Sequence, residues 1–322
     1  MSGGHRQPHD GSVSVVGAIA PRARKPAISP GGPLGRFVVG VGLRLIRALP
    51  ASARESLADA VAWLAWSLGI RSAVALDNLR HAFPEKSEAE RKAIARGTYR
   101  NLARAALESV TSDLLTDAEV AERVVIDDWR GLDAILAAHR PVLVASAHFG
   151  SWELFAELMS RRGYPFSAVV RPLTGAFNAW VVRNRKLAGL ELILQRGAIG
   201  EMLKALKRGR PVVQLVDQVL PATEGVFVPF FGRLASSTPA LSMAAIRSKA
   251  PVYLVLAARE GATLRMLVEG PIEVPSTGDR RADLLAHTAE ITARIEATIR
   301  KYPEQWLWLH RRWKVAPPPP KA

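Results

Sequence analysis

Short apolar runs alternate with amphipathic segments through the middle of the chain. Residues 141–147 (PVLVASA) are rich in β-branched residues, which is typical of a buried strand. The alternation continues as a helical pattern at 151–163, an apolar run at 166–172, a helix at 177–189, a run at 191–194, a helix at 198–209 and a run at 211–218. Strands and helices that alternate in this way indicate parallel βαβ units.

The C-terminal third breaks the alternation. The pattern predicts a strand or extended loop at 225–232, a helix at 237–249, two strands at 251–260 and 263–270, and a long helix at 280–301. The two strands are joined at Gly261, which indicates an antiparallel hairpin at the sheet edge. The fold class expected is α/β, with a mixed, mainly parallel sheet flanked by helices and a helical N-terminal part.

Residues 36–70 read as two apolar helices broken at Pro50. The first apolar stretch, 37–49, is too short for a full membrane span and is interrupted by Arg44 and Arg47. Basic residues beside apolar, Trp-rich helices suit a helix that lies in the membrane interface. An amphipathic helix packed on the core fits the same pattern, so both interpretations stay open.

A second helical stretch follows, at 86–111, where Ser87 and Glu90 have the spacing of a capping box. Two short helices are expected after it, at 116–123 and 131–139.

Both ends of the chain differ in composition from the middle. Residues 1–35 are rich in Gly, Pro, Ser and basic residues, which predicts a disordered tail. Residues 316–322 form a Pro-rich tail, expected to be extended. Between them, residues 36–315 are expected to form a single domain, with 36–70 as membrane-associating helices.

Charge and cysteine content narrow the classes of function. The chain has 44 Lys and Arg against 29 Asp and Glu, a net charge of +15, which favours anionic partners such as nucleic acid or lipid headgroups. It has no cysteine, so a thiolate zinc site and a cysteine nucleophile are excluded. No helix-turn-helix, zinc-finger or RNA-recognition motif supports nucleic-acid binding, and no Gly-x-Ser-x-Gly elbow supports a serine hydrolase.

The segment AHFGSWE, residues 147–153, carries candidate acid–base chemistry. His148 falls where a buried strand ends and a helix is about to begin, which is where ligands bind in open α/β sheets. Glu153 would lie in the first helical turn, where it could hold the imidazole in one tautomer while His148 removes a proton from a substrate hydroxyl. A His and a Glu five apart also occur by chance, and Glu153 could simply complement the helix dipole.

Several residues near the same strand ends are candidate substrate-binding groups. Gly150 allows a close approach of backbone and ligand, and amides at the helix start, where Ser151 lies, could stabilise an oxyanion. Arg171, at the end of the next strand, could grip a phosphate, with a surface salt bridge as the alternative. Asp217 and Gln218 end a further strand, and Asp217 could orient a base or an arginine.

Two basic segments complete the candidates. Arg183 and Arg185 lie on a basic helix that could meet phosphates or an acidic carrier protein, or could be a solvated face. Trp306, Trp308 and the basic residues at 310–312 suit a membrane interface, with burial of the tryptophans as the alternative. No histidine cluster accompanies Asp217, so a metal site is not expected. No cofactor is expected either.

These residues carry a resemblance to a known family. AHFGSWE is similar to the His-x-x-x-x-Glu/Asp signature of the lysophospholipid acyltransferase superfamily, and the chain resembles the bacterial lipid A biosynthesis lauroyl/myristoyl acyltransferases over residues 36–315. Other segments match that branch in order, namely DNLRHAFPE (77–85), RPL (171–173), LVDQ (215–218), VPFFGRLASSTPA (228–240) and YPEQWLWLHRRWK (302–314).

The resemblance implies a glycerol-3-phosphate acyltransferase-like fold and an enzyme on the cytoplasmic face of the inner membrane. The donor would be acyl-acyl carrier protein, the acceptor a phosphorylated glucosamine lipid, and His148 and Glu153 the catalytic dyad. Related actinobacterial glycolipid acyltransferases share the dyad, so another glycolipid or a lysophospholipid stays open as the acceptor. A nucleic-acid-binding protein and a noncatalytic membrane-associated scaffold remain the competing classes, although no nucleic-acid partner is expected.

Overall fold

The computed structural model describes residues 28–29, 32–161, 163–171, 173–187 and 189–317. The tails expected at 1–35 and 316–322 therefore lie largely outside the described residues. The first long element, a helix from Pro33, begins three residues before the predicted domain boundary at 36.

Four helices form the N-terminal part, namely α1 (Pro33–Ala48), α2 (Ala51–Ser67), α3 (Ser72–Ala82) and α4 (Glu88–Thr111). The break between α1 and α2 falls at Pro50, because proline lacks the N–H that a continuing helix needs. Helix α4 begins at the capping box of Ser87 and Glu90, as the spacing predicts. The pattern did not reveal α3, whose buried face consists mainly of small residues around Leu79.

A seven-stranded sheet occupies the centre of the molecule. Its strands are β2 (Val124–Val125), β3 (Leu143–Ser146), β4 (Ser167–Val170), β6 (Glu191–Leu194), β7 (Val212–Leu215), β10 (Val252–Glu260) and β11 (Thr263–Glu269), in the spatial order β2-β11-β10-β3-β7-β4-β6. All neighbours are parallel except β10 and β11, which form the antiparallel hairpin predicted around Gly261. The hairpin does not form the edge of the sheet as expected, because the two-residue strand β2 pairs with β11 on its outer side. The expected mixed, mainly parallel sheet is confirmed.

Helices cover both faces of this sheet. They are α5 (Asp117–Arg123), α6 (Leu132–Ala137), α7 (Trp152–Arg161), α8 (Ala176–Leu187), α9 (Ala198–Lys207), α10 (Ala240–Ser248) and α11 (Arg280–Lys301). Successive residues at β3 point to opposite faces, so Leu143 and Ala145 join one buried cluster and Val142 and Val144 join the other. Burial on both sides explains why this strand is a continuous apolar run.

Two small two-stranded sheets complete the fold. The apolar segment after β7 forms a hairpin of β8 (Val226–Phe230) and β9 (Arg233–Ser237), where the sequence predicted one strand or extended loop at 225–232. A second pair, β1 (Ile28–Ser29) and β5 (Leu173–Thr174), is parallel. Both pairs lie outside the central sheet, which positions the candidate site.

Candidate active site

The loops after β3 and β7 meet at one edge of the sheet. The two strands are adjacent and parallel, and their last residues, Ser146 and Leu215, face each other in register. The backbone N–H of Val216 continues the pairing by donating to the carbonyl of Ser146 at 2.9 Å. The loops that follow, which carry His148 and Asp217, are therefore held side by side at the carboxyl ends of the strands, where α/β proteins bind ligands.

Asp217 holds the His148 side chain and its backbone at the same time. Its Oδ1 lies 2.8 Å from the imidazole Nδ1, and its Oδ2 accepts the backbone N–H of His148 at 2.9 Å. The indole Nε1 of Trp306 also donates to Oδ2, at 2.9 Å. Three donors from two elements thus fix the carboxylate and, through it, the plane of the imidazole.

Burial and charge act in opposite directions on Asp217. Burial of its side chain, only 3% exposed, would raise the pKa of the carboxyl group. The positive charge that His148 carries when it is protonated, together with the hydrogen bonds from His148 and Trp306, outweighs that effect and lowers the pKa to about 2. A carboxylate that stays ionised can only accept a hydrogen bond, so Nδ1 of a neutral imidazole carries the proton and Nε2 keeps its lone pair.

The imidazole Nε2 faces a second residue of the same loop. The side-chain amide nitrogen of Gln218 lies 3.1 Å from it. The His148 side chain is 21% exposed, and both residues line a cavity of about 390 Å³. The proton-accepting nitrogen is therefore accessible from the cavity.

Glu153 does not occupy the position that the sequence suggested. Its carboxylate pairs with Arg185 of α8, through Nη2 and through Nε at 3.2 Å, and accepts the indole N–H of Trp152 at 3.2 Å. The expectation that Glu153 contacts the imidazole is corrected here, since Asp217 lies against Nδ1 instead. The physical reason is that Glu153 lies in the first turn of α7 on the side of α8, whereas Asp217 comes from the neighbouring strand.

Gly150 and Ser151, which the sequence suggested as substrate-binding residues, are not among the residues that line the cavity. Gly150 has a φ of 55°, and a Cβ atom there would lie 1.7 Å from the carbonyl oxygen of Ala257, so backbone packing requires the glycine. Ser151 is 1% exposed, and its hydroxyl contacts Glu108 and Arg259. Both residues fix the loop that carries His148 rather than facing a ligand.

The predicted arginines separate into three positions. Arg185 lines the cavity and pairs with Glu153. Arg171 is exposed at the rim of the cavity, and its guanidinium donates to the carbonyl of Val219 at 3.3 Å. Arg183 is exposed and does not line the cavity, so the structure separates it from the other candidates.

Apolar side chains form most of the cavity wall. They come from α7, α8, the strands and the loop after β7, and include Phe155, Phe166, Val169, Val181, Leu190 and Leu220. A largely apolar wall with a few polar groups at one place, here His148, Gln218, Arg171 and Arg185, is typical of sites for small or amphipathic ligands.

The C-terminal aromatic segment contacts both loops of the site, at Gly150 and at Asp217. Trp306 and Trp308 are 1% and 0% exposed, so burial of the tryptophans, the alternative to a membrane interface, is confirmed. The backbone carbonyl of Gln305 accepts the N–H of Gly150 at 2.9 Å, and the indole of Trp306 reaches Asp217. The run YPEQWLWLH marks this segment as unusual in composition, but its contact with the loop that carries His148 could not be predicted from it.

Two further basic residues of the C-terminal segment are buried near the site: His310 contacts the loop that carries Asp217, and Arg312 contacts the end of β9. The Nε2 of His310 accepts the backbone N–H of Val219 at 3.2 Å, and burial lowers the pKa of His310 to about 4. Arg312 is 1% exposed, and burial lowers the pKa of its guanidinium to about 10. It donates to the carbonyl of Ser236 and to the hydroxyl of Ser237. A neutral His310 and a buried Arg312 thus hold the loops around the site.

Among the described residues, no group of three or more His, Asp or Glu side chains is placed to bind a metal ion. The chemistry that the site offers is that of an imidazole with one nitrogen held by a carboxylate and the other accessible from an apolar cavity. Such an arrangement can remove a proton from an alcohol.

Comparison with known proteins gives a consistent result. The family described as "Bacterial lipid A biosynthesis acyltransferase" matches residues 28–315. The lipid A biosynthesis palmitoleoyltransferase of Escherichia coli K12 is 25% identical over 250 residues, which cover 77% of this chain and 80% of that protein. A lipid A biosynthesis acyltransferase of Haemophilus influenzae is 25% identical over 290 residues, covering 87% and 91%. The phosphatidylinositol mannoside acyltransferase of Mycolicibacterium smegmatis is 24% identical over 290 residues, covering 87% and 93%.

Proposed function

Because the chain belongs to the bacterial lipid A biosynthesis acyltransferase family and is an O-acyltransferase, we propose that it transfers a fatty acyl chain from acyl-acyl carrier protein to a hydroxyl of a glycolipid. The acceptor in this proposal is a phosphorylated glucosamine lipid, a lipid A precursor. The observation that carries the proposal is the contact of 2.8 Å between Asp217 and the Nδ1 of His148, which leaves Nε2 free of a proton at the cavity.

In the proposed reaction, His148 is the general base. Its Nε2 takes the proton of the acceptor hydroxyl while the hydroxyl oxygen bonds to the carbonyl carbon of the acyl thioester. The carbon–sulfur bond then breaks, and the leaving thiolate receives the proton from the imidazolium. Asp217 is a positioning residue, since it orients the imidazole and stabilises the imidazolium that forms.

Glu153 has an indirect role in the proposed reaction, because it pairs with Arg185. The guanidinium lines the same cavity as His148, and the carboxylate of Glu153 fixes its direction through two contacts. A fixed positive group in a largely apolar cavity stabilises the negative charge that develops on the carbonyl oxygen. The proposed role of Glu153 is thus to position Arg185 rather than to hold the imidazole.

The rest of the cavity suits an acyl chain. Each methylene moved from water into an apolar wall contributes about 0.8 kcal/mol, and the wall around Phe166 and Leu190 is apolar. Arg171 lies exposed at the rim, where a guanidinium can hold a phosphate of the acceptor.

The direct test is a reconstituted reaction with purified protein. Dodecanoyl-acyl carrier protein is the donor, and a lipid A precursor or a phosphatidylinositol mannoside is offered as the acceptor, the latter because one relative is named for it. We expect mass spectrometry to show one added dodecanoyl group on the lipid A precursor. Acylation of the phosphatidylinositol mannoside alone would show that the acceptor is a glycolipid of that class and not a lipid A precursor. Acylation of neither lipid would contradict the proposal.

The N-terminal helices are proposed to bind the membrane surface. No helix in the described part of the chain is long and apolar enough to cross a membrane. Large apolar side chains are nevertheless exposed on α1, including Leu34, Phe37 and Leu45, and on α2, including Trp63. On α1, Leu34, Phe37, Val38 and Leu45 have the spacing of one helix face, and such a face inserts into the headgroup region of a bilayer.

Replacing Phe37 and Trp63 together with serine is expected to weaken membrane binding at least about tenfold, since each large side chain contributes about 1.5–3 kcal/mol when buried. The measurement is co-sedimentation with vesicles of phosphatidylethanolamine and phosphatidylglycerol. Leu234→Ser is the matched control, because Leu234 is 47% exposed on the β8–β9 hairpin, outside the two helices. Equal loss of binding in the control and in the double variant would refute the assignment.

A further inference from the structure

Gln218 and an acceptor hydroxyl require the same lone pair on His148. Asp217 fixes the proton on Nδ1, so the lone pair on Nε2 is the single acceptor of the neutral imidazole. The side-chain amide nitrogen of Gln218 lies 3.1 Å from that nitrogen and can only donate to it. A hydroxyl that gives its proton to Nε2 must therefore displace the amide.

We propose that Gln218 is a specificity-determining residue. Its side-chain amide occupies Nε2 of His148, so that the base does not activate water, and the hydroxyl of a bound lipid displaces the amide. This inference rests on the proposed acyl transfer and adds to it a discrimination between alcohol and water. Both compounds can attack a thioester, and an enzyme that holds an acyl thioester beside a free general base would hydrolyse it.

The local structure allows the amide to move while the loop stays in place. The backbone next to Gln218 is fixed on two sides, since the N–H of Val219 donates to His310 and its carbonyl accepts from Arg171. Asp217 on the other side is held by Trp306 and His148. The Gln218 side chain lines the cavity and is only partly buried, so rotation of its side-chain bonds alone removes the amide from Nε2.

The strength of one hydrogen bond is appropriate for this discrimination. A neutral hydrogen bond contributes about 0.5–1.5 kcal/mol net, which corresponds to a factor of up to about ten in the fraction of free base. A hydroxyl held in place by the rest of a bound lipid has a very high effective concentration and overcomes this factor. A water molecule has no such anchoring and meets the full competition of the amide.

Without the amide, the hydrolytic reaction proceeds by the same steps as transfer. Water gives a proton to Nε2 of His148, its oxygen bonds to the carbonyl carbon, and the carbon–sulfur bond breaks. The thiolate takes the proton from the imidazolium, so the products are a free fatty acid and a free thiol. No oxidant, metal or further reactant is needed.

The test measures thiol release from dodecanoyl-acyl carrier protein in the absence of lipid acceptor. Because the chain has no cysteine, a thiol reagent detects only the released carrier-protein thiol. Gln218→Met keeps the length of the side chain and removes the donor, and it is expected to raise hydrolysis about two- to tenfold over the parent. A merely structural role would lower hydrolysis together with transfer.

Three variants complete the experiment. Gln218→Ala is a second donor-free variant that should raise hydrolysis as well, and His148→Ala in the Gln218→Met background should abolish the increase. Gln195→Met makes the same replacement elsewhere in the cavity wall and measures any effect of the exchange that does not depend on the contact between Gln218 and the imidazole. The ratio of hydrolysis to transfer should be higher in Gln218→Met than in Gln195→Met. Hydrolysis by both Gln218 variants at or below the parent rate, or an increase that survives loss of His148, overturns the inference.

Failure of the proposed function would look different. In that case the parent protein itself would add no acyl group to a lipid acceptor, whatever the Gln218 variants do to the thioester. A parent that acylates lipid, combined with unchanged hydrolysis in the Gln218 variants, would leave the acyltransferase proposal standing and remove only the role of Gln218.

Discussion

His148→Ala is expected to lower kcat for acyl transfer by about 10³-fold, within the range found when a general base is removed. The variant loses the group that takes the hydroxyl proton, while the cavity wall that binds the acyl chain stays in place. KM for the acyl donor should therefore change far less than kcat. The measurement is the initial rate of transfer from dodecanoyl-acyl carrier protein to the lipid acceptor.

Folding should survive the His148 substitution. The side chain is 21% exposed, and Asp217 keeps the backbone N–H of residue 148 and the indole of Trp306 as donors. Thermal unfolding of the variant provides the control. A folded variant that transfers acyl groups within tenfold of the parent rate would show that the imidazole is not the base.

Asp217→Asn is expected to lower kcat by about 10²–10⁴-fold, although it changes a single atom. The indole of Trp306 and the backbone N–H of His148 both donate to the Oδ2 position, so the amide oxygen of an asparagine takes that position. Its NH₂ group then faces Nδ1 of His148 and donates to it. The imidazole is forced to carry its proton on Nε2, where it can no longer accept one from an alcohol, a loss known from the equivalent change in serine-protease triads.

Asp217→Glu is the control for the explanation that Asp217→Asn moves the imidazole proton from Nδ1 to Nε2. Asp217→Glu retains a carboxylate that can only accept, so it should keep more activity than Asp217→Asn if its longer side chain still reaches Nδ1. Comparable unfolding temperatures for the two variants would exclude a folding defect as the cause of the difference. An Asp217→Asn protein as active as the parent would contradict the assignment of the proton to Nδ1.

Many helices and strands could be predicted from the sequence because the residues that determine each of them lie close together along the chain. The apolar run at 141–147 and the capping residues Ser87 and Glu90 depend on neighbours a few positions away, and both formed the expected elements. His148 was placed at a strand end for the same reason. The order of strands in the sheet is not a local property, since β3 and β7 are neighbours in space but are separated along the chain by β4, β5 and β6.

Because strand order cannot be inferred locally, the sequence suggested the wrong partner for His148. Sequence spacing favoured Glu153, five residues away, because a helical turn could bring it near the imidazole. The pairing of β3 with β7 brings Asp217 closer from 69 residues along the chain. Arg185 then takes the carboxylate of Glu153, a contact between α7 and α8 that spacing cannot reveal.

The packing role of Gly150 could not be predicted from the sequence either, because its neighbour lies on a distant strand. A glycine beside a candidate histidine suggests contact with a ligand, yet its Cα packs against the carbonyl of Ala257 on β10. In the same way, the run of Trp306 and Trp308 with basic residues fitted either a membrane interface or burial in the core, and both rings are buried. Composition describes the chemistry of such segments, and only the tertiary structure assigns their neighbours.

The central claim is that His148 and Asp217 act as one unit, and a double-substitution experiment tests it most directly. The measurement is kcat for acyl transfer by the parent, His148→Ala, Asp217→Asn and the protein carrying both changes. If Asp217 works through the imidazole, the double variant should be no slower than His148→Ala alone. Losses that multiply, so that the double variant is slower by the product of the two single effects, would contradict the account.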